Sequence, residues 1–240
     1  MKGRKTNQID IQCQFCESRG RSLFDSLPQE ELEVLNQHKS CVTYKKGQTL
    51  FYEETRPMGV FCINRGKVKV YKMGSNGKEQ ILYIAQAGDF LGYRALLSEE
   101  FYGASATVLE PAAVCFIPKS DFLTILNRNP GFFQKLMQTV CKELGIMEEK
   151  LAQLAQKSVR ERLAVTILML KETYGMEGEG SEVIDILLSR EDLANIVGTA
   201  TETVIRLLSE FKSDGMIALE GKRIKVVDQN RLLHEADFYG

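Results

Sequence analysis

The sequence predicts an α+β fold: an N-terminal antiparallel β-roll, then a long amphipathic helix, then a C-terminal winged helix-turn-helix. Three observations carry this. Short runs rich in Val, Ile, Phe and Tyr alternate with glycine over residues 41–117, the pattern of antiparallel strands and turns. After Pro118 the apolar spacing changes to a helical one. Near the C-terminus, two helix-forming stretches meet at Gly198 and lead into two short alternating runs.

The 240 residues exceed the usual single domain and suit two. A composition 44% hydrophobic and 26% charged belongs to a globular chain rather than a disordered one. No apolar run approaches the roughly 18 residues of a membrane helix. The opening stretch MKGRKTNQIDIQCQF has no apolar segment of the secretory kind. The expectation is a cytoplasmic protein without a membrane partner. In a reducing cytosol, the six cysteines at 13, 16, 41, 62, 115 and 141 are expected to be free thiols or metal ligands, not a disulfide framework. Net charge is −1, and residues 158–240 hold 10 Lys and Arg against 15 Asp and Glu. A basic field therefore does not identify a nucleic-acid surface here; motif geometry must.

The elements follow in order. Residues 1–22 are expected as a loose arm. The stretch LFDSLPQEELEVLNQH, residues 23–38, reads as a short helix with Ser26 and Glu30 near its start and Leu32 and Leu35 inward. The strand runs CVTYKKGQTLFY, GVFCINRGKVKVYKM, EQILYIAQAGDF and SATVLEPAAVCFIP complete a sensor region over 23–129, with MGSNGKEQ as a hairpin connection. Pro130 opens a helix to about Gln156. Its apolar residues Leu136, Val140, Leu144, Met147, Leu151 and Leu154 average 3.5 residues apart, the spacing of a coiled-coil seam. A dimerising helix over 130–157 is therefore expected, against the alternative that the helix packs on its own domain. Residues 158–174 form another amphipathic helix, and GMEGEGSE reads as a flexible acidic loop.

Residues 158–240 hold the most informative constellation. Ser189 with Asp192 three positions on can cap a short helix through Val197. Ala194 is small where two helices must approach. Gly198 falls at the turn, where positive φ is cheap only for glycine. Val204, Leu207, Leu208 and Phe211 form the buried stripe of a second helix. Thr199, Thr201, Glu202, Thr203, Ile205 and Arg206 lie on its exposed N-terminal side, where a recognition helix meets base edges, with Ser189 and Arg190 beside them. Alternatively, Thr199 and Glu202 form only a capping box, and Arg206 clamps a phosphate. Gly215 ends the helix, and residues 216–219 and 223–227 alternate as a wing around Glu220-Gly221. These features point to DNA as a partner.

In KGQTLFYEE, INRGKVKVY, AGDFLGYRALL, VCFIP, the long helix and LANIVGTATETVIRLLSEFKSDGMI, in that order and spacing, the chain resembles the CRP/FNR family. The resemblance implies a cyclic-nucleotide-binding-like β-roll, a homodimer, a winged helix-turn-helix that regulates transcription, and contact with RNA polymerase. In cyclic-AMP-binding members a Gly-Glu pair holds the ribose and an Arg-Ser pair the cyclic phosphate. Here Gly92 and Ser105 are kept, but Tyr93 and Ala104 replace the charged partners, so cyclic AMP binding is not expected. Arg94 lies nearby in sequence. In the oxygen-sensing branch four cysteines hold an iron–sulfur cluster. Cys13, Cys16 and Cys115 match three of them, whereas position 22 is serine, so the set is incomplete and a cluster is not expected.

Three functions follow. The first is a DNA-binding regulator, binding an inverted repeat as a homodimer, whose sensor takes an unidentified small-molecule effector or none. The second is the same regulator with a redox or metal switch at Cys13, Cys16 and Cys115. The third is a nucleotide-binding regulatory module without DNA function, against which the wing and Arg206 argue. An enzyme is not expected: the sequence offers no nucleophile–base pair or phosphate loop.

Overall fold

Side-chain alternation decides the architecture of the first half. Along β4 (Gly59–Met73), Val60 and Cys62 belong to one core and Phe61 and Ile63 to another, as the two-residue period of a strand requires. All four are buried, so β4 must be covered on both faces. The computed structural model, which describes residues 8–175, 184 and 186–237, shows how.

β1 (Gln8–Ile9), β2 (Ser40–Tyr44), β3 (Thr49–Phe51), β5 (Glu79–Ala85), β6 (Phe90–Leu91) and β7 (Ser105–Pro118) join β4 in one antiparallel sheet. The path runs β1-β2-β7-β4-β5, with β3 also on β7 and β6 on β4. The β4–β5 connection closes with the Gly74 N–H donating to the Lys78 carbonyl at 2.8 Å, the hairpin expected from MGSNGKEQ. One face of the sheet encloses Ile63, Val68, Val70, Ala104, Ala106 and Val114. The other is covered by α1 (Gln29–His38), α2 (Tyr93–Leu97), α3 (Lys119–Arg128) and the start of α4 (Pro130–Gln156), through Leu32, Leu35, Phe122, Phe132 and Leu136.

Four expectations for this half need correction. Residues 8–22 are not a loose arm: β1 pairs with β2, two 3-10 turns follow, and Cys13, Ser18 and Ser22 are buried. The helix expected over 23–38 is split into a 3-10 turn at Leu23–Ser26 and α1. Pro28 forces the split, because a residue before proline is driven out of the helical region, and Leu27 has ψ 140°. The seam of α4 is divided: Leu136 is 1% exposed and, with Val140, packs into its own core, while Leu144, Leu151 and Leu154 are exposed. Finally, Cys41 and Cys115 are not free thiols but a disulfide, because β2 and β7 place them directly opposite each other.

The chain divides into two units, Met1–Glu143 and Leu144–Gly240, with the cut inside α4. In the second unit, Ser158 caps α5 (Val159–Tyr174) by a reciprocal box with Glu161. α6 (Arg190–Val197), α7 (Thr201–Ser213), the hairpin β8 (Ile217–Glu220) and β9 (Arg223–Val226), and α8 (Gln229–Glu235) follow. Leu163 and Ile167 of α5, Leu193 of α6 and Val204 and Phe211 of α7 are all fully or almost fully buried. The acidic loop expected over 175–182 lies outside the described residues beyond Gly175.

Candidate functional site

The helix pair is built by local chemistry. The Ser189 hydroxyl accepts the Asp192 N–H at 2.9 Å, and the Asp192 carboxylate accepts the Ser189 N–H at 3.2 Å. This box fixes the start of α6. Gly198 ends it at φ 75°, ψ 47°, a left-handed cap that redirects the chain into α7 at no side-chain cost. α7 then buries Val204, Leu207, Leu208 and Phe211, as their helical spacing dictates.

With that stripe inward, Glu202, Ile205 and Arg206 face outward, Ile205 at 51% exposure. Thr201 and Thr203 are half-buried beside them, and Thr199 lies in the turn. Glu202 is not part of a capping box: the N-cap of α7 is Ala200, which makes no side-chain cap bond. Arg206 pairs with Glu210 one turn on at 2.5 Å. An exposed pair of this kind is worth about 0.2–1 kcal/mol, so a guanine or a phosphate can displace Glu210 cheaply. Ser189 and Arg190 are placed differently from the others. The Ser189 hydroxyl is engaged by its cap, and the Arg190 guanidinium donates to the Gly221 carbonyl at 3.0 Å, tying α6 to the wing. The first wing strand is shifted one residue towards the C-terminus of the one expected, the second ends one residue earlier, and the loop between them is Gly221-Lys222. Met216 instead closes α7, donating to the Phe211 carbonyl at 2.9 Å and accepting the Val227 N–H at 2.9 Å.

The acidic excess of this unit is partly held elsewhere. Arg160 sits among Glu210 at 2.8 Å, Asp214 at 3.2 Å and Glu235 at 2.6 Å, with its guanidinium 4.8 Å from the Phe211 ring centre. Sequence reading missed this hub, since its members lie 50 to 75 residues from Arg160.

At the sensor positions the geometry is different. Tyr93 is buried, and its hydroxyl donates to Glu143 of α4 at 2.6 Å. Burial first, and then that bond, push its ionisation well above the ordinary tyrosine range; Tyr83, half-buried near the same carboxylate, is pushed up to about 12, chiefly by desolvation. Ala104 is enclosed in the core, and the Ser105 hydroxyl accepts the Glu53 N–H at 3.0 Å. Gly92 has φ 86°, and a Cβ there would come within 3.0 Å of the Tyr102 ring, so only glycine fits. Arg94 is exposed. The charged partners that a cyclic nucleotide needs are thus absent from these positions, and the residues present do not fit it.

The Cys13 sulfur accepts from the Lys39 ammonium at 2.9 Å, and Cys16 from Asn64 at 3.1 Å. Cys62 lies opposite Cys115 in the β4–β7 register, as Cys41 does in the β2–β7 register. A four-thiolate iron–sulfur cluster does not fit this arrangement. The Ser22 hydroxyl is engaged in its own turn, donating to the Arg19 carbonyl at 2.8 Å and accepting the Phe24 N–H at 3.2 Å, and Cys115 is bonded to Cys41. Among the described residues, no three Cys, His, Asp or Glu side chains are placed to share a metal ion. The row formed by Cys41 and Cys62 with Cys115 is not legible in the sequence. A cysteine in each of three strand runs was the available signal, but pairing register is not written in a strand's own residues.

The cyclic nucleotide-binding domain model matches residues 41–129, and the Crp-like helix-turn-helix domain model matches residues 161–235. The fumarate and nitrate reduction regulatory proteins of Escherichia coli K12 and Salmonella typhimurium are each 29% identical over 225 residues, 92% of this chain and 89% of theirs. Among solved structures, FixK2 from Bradyrhizobium japonicum superposes with a TM-score of 0.75 at 23% identity, over 84% of this chain and 98% of that one. A CooA mutant from Carboxydothermus hydrogenoformans gives 0.72 at 22%, over 85% and 90%. These two likenesses are of fold.

Proposed function

Since the chain belongs to the CRP/FNR family of DNA-binding transcription regulators, we propose that it reads an inverted repeat as a homodimer, with α7 in the major groove and Glu202 and Arg206 on base edges. One observation carries this reading: burial of Val204, Leu207, Leu208 and Phe211 turns Glu202, Ile205 and Arg206 outward together. Arginine bonds both acceptors of guanine, glutamate accepts from the cytosine amino group, and isoleucine can touch a thymine methyl. Thr199, Thr201 and Thr203 are in place for backbone contacts. Ser189 and Arg190 support the interface from behind, through the cap of α6 and the tie to the wing. Residues 23–129 act as sensor, 130–157 as dimerising helix and 158–240 as DNA reader. The seam left open for the partner is Leu144, Leu151 and Leu154. Half-sites one helical turn apart, roughly 34 Å, suit such a dimer. The regulator works in the cytoplasm and contacts RNA polymerase, and a small-molecule effector other than cyclic AMP can act on the sensor.

Gel shift on genomic fragments, followed by footprinting, tests this: protection of two symmetric half-sites with a G·C-containing core is expected, and uniform binding to any fragment would refute it. A second reading, a redox switch in the sensor, is favoured by the sulfur–sulfur bond between Cys41 and Cys115.

A further inference from the structure

Cys41, Cys115 and Cys62 occupy one register row across three neighbouring strands, β2, β7 and β4. Directly opposed residues in antiparallel strands point to the same face, with Cβ atoms about 4.5–5.5 Å apart. Cys115 therefore has a thiol neighbour on each side and can bond only one of them. We propose that Cys41 and Cys115 form a reversible dithiol–disulfide site that takes a small peroxide as oxidant, with Cys62 held out of the exchange. This deepens the redox reading above and rests on it.

The bond already formed fixes the choice of pair. Cys115 is joined to Cys41, which leaves Cys62 as a thiol in the core that also holds Leu23, Phe24 and Phe122, where burial pushes it well above its ordinary range. Cys41 and Cys115 are 3% and 6% exposed, too little for a protein disulfide to dock on, which restricts the oxidant to one as small as a peroxide of two heavy atoms. In the forward step the two thiols lose two protons and two electrons. The O–O bond of hydrogen peroxide breaks, and two waters leave as the sulfur–sulfur bond forms. In the reverse step a dithiol reductant is oxidised and both thiols return. Access for that reductant comes with fraying of β1, a two-residue strand at the end of the sheet path whose Ile9 pairs with Cys41. Bonds of this kind in a reducing compartment are typically transient or redox-sensing.

The test uses the whole protein. It is reduced with dithiothreitol, desalted under argon, exposed to equimolar hydrogen peroxide, denatured, alkylated and mapped by peptide mass spectrometry. The expected result is the loss of two of the six alkylatable thiols, a linked peptide pair containing Cys41 and Cys115, and full recovery after dithiothreitol. Cys41→Ser should leave all five remaining thiols alkylatable after the same exposure. A disulfide joining Cys13 to Cys16, or Cys62 to Cys115, would overturn this assignment while leaving the sensor redox-active. Six alkylatable thiols after peroxide would overturn both. So would stoichiometric metal in anaerobically prepared protein that shields Cys115 from alkylation.

Discussion

In the helix-turn-helix unit the side chains of Glu202, Ile205 and Arg206 face solvent; in the β-sheet unit those of Tyr93, Ala104 and Ser105 face protein. Arg206 has a 64% exposed side chain held by one weak ion pair on its own helix, whereas Tyr93 is 3% exposed and bonded to Glu143, fifty residues away. The helix-turn-helix unit leaves this face of α7 open to solvent. The β-sheet unit buries Tyr93, bonded to Glu143, and encloses Ala104 in its core. One chain thus presents an open helix face in one unit and a closed, internally bonded region in the other.

The largest expected effect breaks the premise that the reading surface works in pairs. Leu144→Glu combined with Leu151→Glu places like charges across the two-fold axis of the proposed seam. Sedimentation should show monomers, and gel shift should lose the specific complex. A variant that remains dimeric places the interface elsewhere.

Next comes the support of the reader. Phe211→Ala empties a site that is 0% exposed and removes the ring under Arg160, and should cost about 3–5 kcal/mol in unfolding of the second unit. Denaturant titration of the full chain, followed by a probe in that unit, checks it. An effect below 1 kcal/mol would mean that α7 does not depend on this core.

Arg206→Ala sharpens the open side of the comparison. It should weaken the specific site by about 1–3 kcal/mol and random DNA far less. Equal weakening of both would make Arg206 a phosphate contact, and base reading would pass to its neighbours.

The smallest effect lies on the closed side. Tyr93→Phe removes the donor to Glu143 and should cost about 1 kcal/mol, since the freed carboxylate can take water. Calorimetry should detect no cyclic AMP binding in the wild type or the variant. Micromolar binding by the wild type would show that the sensor opens in a way its internal bonds oppose.

Whatever is settled within one turn of helix or one hairpin was legible in the residues themselves. The Ser189–Asp192 box, the positive-φ cap at Gly198, the buried stripe from Val204 to Phe211 and the extent of α4 all follow from neighbours at most four positions apart or from a repeated period. The capping role suspected for Glu202 was also a local question, and there the backbone chose Ala200, leaving Glu202 outward. The break at Pro28 was local as well, and the rule for residues before proline could have found it.

Only the tertiary structure decided which distant residues meet. A strand's alternation says which side chains share a face but not which strand lies beside it or in what register, so the alignment of Cys41, Cys115 and Cys62 had no trace in the separate runs. The same holds for Tyr93 on Glu143 and for Arg160 among Glu210, Asp214 and Glu235. It holds too for the division of the α4 seam, where the sensor core claims Leu136 and Val140 and leaves Leu144, Leu151 and Leu154 exposed. The sequence by itself determined the main strand runs, the long helix, the helix-turn-helix and the face its second helix buries, because these are consequences of local geometry and hydrophobic period; the short elements β1, α2, α3 and α8 had no such period to show them. Contacts across 50 to 80 residues depend on how the buried faces of separate elements fit together, and that fit exists only once the chain has packed.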